Sequence, residues 1–392
     1  MNKSDSERVA AVLEQQGYKA TDNKNQADLA VINTCGVRQA AEDRVYGLVP
    51  RIKKQNPGCK IVLTGCLVNR EDVRKRLKNF VDVWLPITKI SDFRFKIYDF
   101  LHSGEIKNNS DNRLVLNKSK ILILPAQTGH KAKIGDGDYL KIKPKYSSNE
   151  SAFVPIGNGC NNFCSYCVVP HARGREVWRP AGDIIDEVKN LVKNGYKEII
   201  LIAQNVNSYQ SESVLINANK ARNLERLRQI NFAKLLRMVN NIEGNFGINF
   251  ATSHPKDMSD ELINTIAKSE KILPQIHLPV QSGDNQILKK MNRRYTVGDY
   301  KKLIKKIHAA FKKYRPNVKL EISTDIIVGF PGETKKQFLN TVKLCKEIKF
   351  AKAYLARYSP RPGTAAARLK DDVLAEEKKR RWLVLEKLVN KS

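Results

Sequence analysis

The sequence predicts an α/β protein, with a parallel α/β domain first and a partial (β/α)6 TIM-like barrel after it. Three observations predict this. Short apolar runs alternate with helical segments between residues 27 and 87. The same alternation resumes near residue 152 and passes through six further apolar runs. Cysteines and polar turns follow several of these runs, and a parallel sheet collects its ligands at the carboxyl ends of its strands.

Taken in order, residues 4–18 carry the spacing of an amphipathic helix. ADLAVINTC (27–35) reads as a buried strand, RQAAEDRVYGLVPRIKKQ (38–55) as a helix and CKIVLTGC (59–66) as a second strand. REDVRKRLKNF (70–80) is a helix and VDVWLPI (81–87) a third strand. Cys35 and Cys66 each close a strand, so the sheet should bring them toward one another. The domain opens on a helix, where an α/β unit of this kind normally opens on a strand. Residues 103–150 are long and polar, with one apolar run (ILILP), and read as a linker or insertion. The expected organisation is therefore a domain over 1–102, the linker over 103–150, a barrel over 151–375 and a final helix over 376–392. The barrel strands are AFVPIG (152–157), EIILIA (198–203), GINFAT (247–252), QIHLPV (275–280), EISTDIIVGF (321–330) and KAYLARY (352–358). Helices such as 183–195 and 334–348 fall between them. Residues 211–229 read as an inserted loop or helix, and AEEKKRRWLVLEKLVNK as a basic amphipathic helix.

Seventy Lys and Arg against 40 Asp and Glu leave a formal charge of +30 over 392 residues. That excess suits a polyanionic partner, nucleic acid most simply, although a lysine-rich composition would also produce it. Seven cysteines are too sparse for a disulfide scaffold and cluster as metal or redox cysteines do. The polar start is not a signal peptide, and no apolar run reaches the roughly 18–20 residues of a membrane span. A soluble cytoplasmic protein without a membrane partner is expected.

GNGCNNFCSYCVVPHARG (157–174) places Cys160, Cys164 and Cys167 within eight positions. A closed tetrahedral zinc site takes four ligands, and only His171 stands near enough in sequence to be a fourth. An iron–sulfur cube held by three thiolates would leave one iron open for a substrate or cofactor. Spacing alone leaves both open.

The Cys-x3-Cys-x2-Cys run resembles the signature of radical S-adenosylmethionine (SAM) enzymes. GCNNFCSYCVVPHARGREVWRP, IAQNVNSY, SHPKD, HLPVQSGD, MNRRYT, TDIIVGFPGET and YSPRPGTAA follow in the order found in one branch, the tRNA methylthiotransferases of the MiaB type. The resemblance spans nearly the whole chain. It implies a 4Fe-4S cluster on Cys160, Cys164 and Cys167 whose open iron chelates SAM, and a second 4Fe-4S cluster in the first domain with Cys35 and Cys66 as two of three ligands. It implies that Gln204 and Asn205 lie near the SAM amino group or the substrate, ribose contacts from Gln281, Ser282 and Asp284, and an adenine-site role for Gly329 in GFPGE. Tyr166 would cover the cluster or touch the adenine, or be a core aromatic. His254 and Lys256 of SHPKD point to the adenosine-modifying branch, and Arg173, Arg175 and Arg179 to RNA phosphates or the SAM carboxylate. His277 and Cys345 read as structural. The implied partners are tRNA, SAM, an electron donor such as flavodoxin or ferredoxin, and a sulfur or cluster donor.

The implied reaction places a methylthio group on C2 of isopentenyl-modified adenosine 37. Other possible readings are methylthiolation of threonylcarbamoyladenosine or of a ribosomal aspartate, or a tRNA-binding protein that cleaves SAM without inserting sulfur. Two departures stand out. The family's third auxiliary cysteine would precede Met1, and its small β-barrel RNA-binding (TRAM) domain would follow the last helix. Cys59 enters the strand that Cys66 ends, and a strand of that length spans roughly 20 Å, so it is a poor substitute.

Overall fold

A computed structural model describes residues 1–92, 138–213 and 228–391, apart from Gln16, Asp22 and Arg38. The ILILP run and most of the expected insertion at 211–229 lie outside the described residues. Two compact units emerge, one of Met1–Ser147 with Val168–Val177, the other of Ser148–Cys167 with Trp178–Ser392. The division after Ser147 falls within the stretch read as a linker. The grouping of 168–177 with the first unit was not anticipated from the sequence.

In the first unit, strands β1 (Leu29–Thr34), β2 (Lys60–Gly65) and β3 (Val83–Leu85) form a parallel sheet in that order. The strands are short unbroken apolar runs because helices cover them, and all but one residue of β1 is buried. Helices α1 (Asn2–Gln15), α2 (Gln39–Gln55) and α3 (Glu71–Leu77) supply the cover, with Val9, Val12, Leu13, Val45, Val49 and Ile52 in the core. Asp82 accepts the Ile61 N–H at 2.7 Å and pairs with Lys53 at 2.8 Å, fixing the entry to β3. A short helix, α4 (Val169–Arg173), also belongs to this unit.

Among its described residues the second unit holds six parallel strands in two runs of three. The strands β4 (Ser151–Pro155), β5 (Glu198–Ile202) and β6 (Gly247–Ala251) pair in chain order, as do β7 (Gln275–His277), β8 (Glu321–Val328) and β9 (Lys352–Arg357). Ile248 of β6 bridges Ile272 just before β7, which joins the two runs. The helices are α5 (Ala181–Lys193), α6 (Phe232–Asn240), α7 (Asp260–Lys268), α8 (Asn285–Lys290), α9 (Val297–Tyr314), α10 (Lys335–Ile348) and α11 (Ala375–Leu385). Capping boxes at Thr296 and Thr334 start α9 and α10, each with its N3 side chain returning to the cap backbone. Along β8 burial alternates strictly: Ile322, Thr324, Ile326 and Val328 are buried, while Glu321, Ser323, Asp325 and Ile327 are half-buried.

β7 is shorter than the QIHLPV reading. Pro279 has no N–H to donate, and the Val280 N–H turns to the Thr324 hydroxyl at 2.9 Å. The same hydroxyl donates to the Leu278 carbonyl at 3.0 Å. Gln281 then takes φ +69, in the left-handed region that non-glycine residues seldom occupy, while its N–H donates to Asp325 O at 2.8 Å.

Candidate functional site

The three-cysteine loop leaves the carboxyl end of β4. Gly159 adopts φ +80, which turns the chain so that Cys160 is buried while Cys164 and Cys167 are half-buried. None of the three is in a disulfide. The Cys164 N–H donates to Asn162 O at 2.9 Å and the Cys167 N–H to Cys164 O at 3.0 Å, winding the loop tightly. The turn after α8 straps it down. Ser165 donates through N to Met291 O (3.1 Å) and through Oγ to Lys290 O (2.8 Å), and Asn292 Nδ2 donates to Phe163 O at 2.7 Å. Tyr166 packs on Ile287, Met291, Phe330, Tyr358 and Ala366, so it is a core aromatic of this loop. Burial holds its phenol well above the ordinary range, and it stays neutral.

A residue that sequence reasoning passed over meets this loop. Arg293, buried, directs Nη1 to Cys164 Sγ at 3.5 Å. The only signal was MNRRYT, which offers two adjacent arginines and no way to choose between them. Arg293 Nε donates to Tyr295 OH at 2.8 Å, and the Tyr295 ring meets His254 edge-on with centroids 5.8 Å apart. His254 is also buried. Its Nδ1 accepts the Lys256 N–H at 3.2 Å, and burial, then Arg293 and Lys256, push its pKa down to about 2. It is therefore a neutral imidazole with a capping role. Lys256 is exposed and pairs with Asp257 Oδ1 at 2.7 Å.

The carboxyl ends of β5 and β6 hold the polar atoms expected of a ligand site. Asn205 Nδ2 donates to Asp257 Oδ2 at 2.7 Å, tying IAQN to SHPKD. Yet Gln204 Oε1, Asn205 Oδ1, Asn207 Oδ1 and Ser253 Oγ are buried without a hydrogen-bond partner in the protein. Buried polar atoms are rarely left so, and each of these is an atom that a polar ligand or water would complete. Thr252, between them, sits at φ +70, a costly conformation for a β-branched residue. Gln281 and Ser282 are buried at the end of β7, and Asp284 caps α8 through the N–H groups of Gln286 and Ile287. Gly329, at φ +69, donates its N–H to Glu333 at 2.7 Å, and a Cβ there would stand 2.3 Å from Lys378 Cγ. Glu333 in turn holds Arg381 at 2.7 Å.

Two arginines expected at phosphates or the SAM carboxylate are committed elsewhere. Arg179 is buried, pairs with Glu187 at 2.6 Å and donates to Pro155 O at 2.8 Å, so it anchors the end of β4. Arg173 forms a buried ion pair with Asp5 at 2.5 Å, each side chain 2% exposed. Arg175 is exposed. His171 is exposed on α4. His277 lies between Ser323 Oγ (3.0 Å) and Asp325 Oδ2 (3.3 Å) on neighbouring β8. Cys345 is buried in α10, where burial pushes its thiol up to about 12.

The first unit brings Cys35 and Cys66 together. Thr34 faces Gly65 in register, so both cysteines leave the sheet at the same edge, and a Cβ on Gly36 would stand only 3.1 Å from Cys66 Cβ. Arg173 reaches their backbone through a short chain of bonds. Its Nη2 donates to Asn2 Oδ1 at 3.2 Å, and Asn2 Nδ2 donates to Thr34 O at 3.1 Å. Thr34 O also accepts the Cys66 N–H at 3.0 Å. Cys59 is fully buried at the opposite end of β2, its thiol pushed up to about 11 by burial, and takes no part.

Among the described residues, no three His, Cys, Asp or Glu side chains already converge closely enough to hold a metal ion. The donor set nonetheless fits a thiolate-held iron–sulfur cluster in its chemistry: three thiols outside any disulfide on one strapped loop, with a fixed guanidinium at one sulfur. The orphaned oxygens of Gln204 and Asn205 are acceptors that suit an ammonium group. Among the described residues no helix is long and apolar enough to cross a membrane.

Comparison with known proteins agrees with this geometry. Residues 154–345 match the radical SAM superfamily, and residues 1–85 match an uncharacterized protein family, UPF0004. The tRNA-2-methylthio-N(6)-dimethylallyladenosine synthase of Clostridium novyi (strain NT) is 41% identical, over all of this chain and 79% of its own length. The enzyme of the same name from Thermoanaerobacter pseudethanolicus is 41% identical, over all of this chain and 76% of its own. Among solved structures, the radical SAM methyltransferase TsrM of Kitasatospora setae matches with a TM-score of 0.51 at 14% identity, over 86% of this chain and 63% of that one. The last likeness concerns the fold alone. Motifs in order, a three-thiol loop at the end of a barrel strand and this identity across the entire chain place it in the radical SAM methylthiotransferase family, of the MiaB type.

Proposed function

We propose that this chain is a tRNA methylthiotransferase that places a methylthio group on C2 of N6-dimethylallyladenosine 37, beside the anticodon. The observation that carries the reading is 41% identity over the whole chain to enzymes named for that product. Cys160, Cys164 and Cys167 would hold the radical 4Fe-4S cluster, and Cys35 and Cys66 two corners of the auxiliary one. With SAM bound, the radical cluster supplies a carbon radical able to break an aromatic C–H bond that no side-chain base can deprotonate.

The remaining work belongs to the protein. In this reading Gln204 Oε1 and Asn205 Oδ1, buried without a partner in the protein, would accept from the SAM ammonium, and Asp257 holds Asn205 in position. Thr252, just after β6, and Gln281, four residues past β7, both take left-handed backbone conformations. His254 stays neutral and moves no proton near pH 7, so its part is to support Tyr295 and Arg293. The first unit is the sulfur-carrying part in this reading. The +30 charge supports tRNA as the partner. An electron donor such as flavodoxin or ferredoxin, a sulfur or cluster donor and a cytoplasmic setting complete it.

The test is direct. Anaerobically reconstituted protein is incubated with SAM, a low-potential reductant and tRNA carrying the dimethylallyl group, and the digested nucleosides are weighed by mass spectrometry. Conversion to the methylthio nucleoside is expected. Release of 5′-deoxyadenosine with the tRNA unchanged would overturn the sulfur-insertion reading.

A further inference from the structure

We infer that Arg293 sets how readily the radical cluster takes up an electron, by donating a hydrogen bond from Nη1 to the sulfur of Cys164. The inference deepens the reading above and rests on its assignment of the cluster to Cys160, Cys164 and Cys167.

The geometry singles out this side chain. Nη1 lies 3.5 Å from Cys164 Sγ, within reach of an N–H to sulfur bond. The other arms of the guanidinium are occupied. Nε donates to Tyr295 OH and Nη2 to Pro279 O, each at 2.8 Å. Tyr295 OH is itself held by Val280 O at 3.0 Å, and the guanidinium carbon stands 5.1 Å from the Tyr295 ring centre. Arg293 is 7% exposed. The fork is held from three sides and largely shielded from water, so its charge is screened less at the sulfur it faces than a surface charge would be.

Reduction adds one electron, delivered by a one-electron donor, to a centre whose charge is spread onto its sulfurs. A fixed donor at a ligand sulfur stabilises the reduced state more than the oxidised one and raises the potential. Lysine in its place would keep a charge but not the three-armed anchorage.

The test is an anaerobic redox titration monitored by electron paramagnetic resonance, in a Cys35→Ala/Cys66→Ala background that leaves only the radical cluster. About four iron per chain verifies the cluster itself. Little or no iron in the background protein would refute the cluster assignment, and with it this inference. With iron present, Arg293→Gln should move the reduction equilibrium about tenfold toward the oxidised form, which is about 59 mV for one electron. Tyr295→Phe, which keeps the guanidinium but loosens it, should move it the same way by less, and it carries the test if Arg293→Gln loses iron. An unchanged potential in an iron-replete variant overturns the inference. So does an unchanged potential with weakened SAM binding, which would make Arg293 a ligand anchor.

Discussion

Removing the carboxylate of Asp5 should unfold much of the first unit's stability without touching a cysteine. Asp5 and Arg173 are each 2% exposed and 2.5 Å apart, so Asp5→Ala would leave a guanidinium buried without its carboxylate. Breaking such a pair from one side costs about 3–5 kcal/mol, because the stranded charge has lost both water and its counterion. Replacing both residues is a different perturbation. Asp5→Ala/Arg173→Met removes the charge as well and should recover more than half of that loss. Urea unfolding followed by tryptophan fluorescence reads this cleanly. Trp84 lies in the first unit, and the other two tryptophans, Trp178 and Trp382, lie in the second and can be changed to phenylalanine. A cost below about 1 kcal/mol for Asp5→Ala, or a double variant no better than the single one, would refute the reasoning.

Three further outcomes are expected. His254 ordinarily titrates near 6.5 and is held near 2 when folded, so the unfolded chain binds the extra proton and stability falls as pH drops below about 6.5. Between pH 7.5 and pH 5 wild type should lose about 2 kcal/mol more than His254→Asn, whose Oδ1 can still accept the Lys256 N–H; equal slopes would contradict the buried neutral imidazole. Gly283→Ala should lower the melting temperature by roughly 5–10 °C, because its Cβ would lie 2.5 Å from Thr341 Cα and 2.8 Å from Asn340 O, where backbone cannot yield. Differential scanning fluorimetry suffices to check it. Iron and acid-labile sulfide after reconstitution separate the two cysteine sets: Cys160→Ala should remove about four of each per chain, and Cys35→Ala should leave about four behind. If Cys160→Ala removes nothing, those thiols hold no cluster.

What the sequence determined by itself is what depends on neighbours in the chain. Strands β1, β2, β5, β6, β8 and β9 were legible as apolar runs, and α1, α2, α5 and α10 as helical periods, because each element buries one face whatever lies opposite. Cys160, Cys164 and Cys167 were legible because three thiols on one short loop need no partner from elsewhere. That Cys35 and Cys66 lie at one edge followed from parallel strands ending together, and the position of Cys59 at the far end of β2 from its place in the sequence. The end of β7 was misjudged, since only the Thr324 hydroxyl on β8 shows where the Val280 N–H goes.

Arginine roles were the least legible part. Arg173, Arg175 and Arg179 look alike within one short run, yet Arg173 is held by Asp5, 168 residues away, and Arg179 by Pro155 and Glu187. Arg293 reaches Cys164 across 129 residues. A long charged side chain can lie in water, pair with a carboxylate or face a thiol at little cost to its own backbone. Which of these it does is decided by how much solvent the folded chain leaves around it and which opposite charge or sulfur arrives there. Only the tertiary structure supplies both.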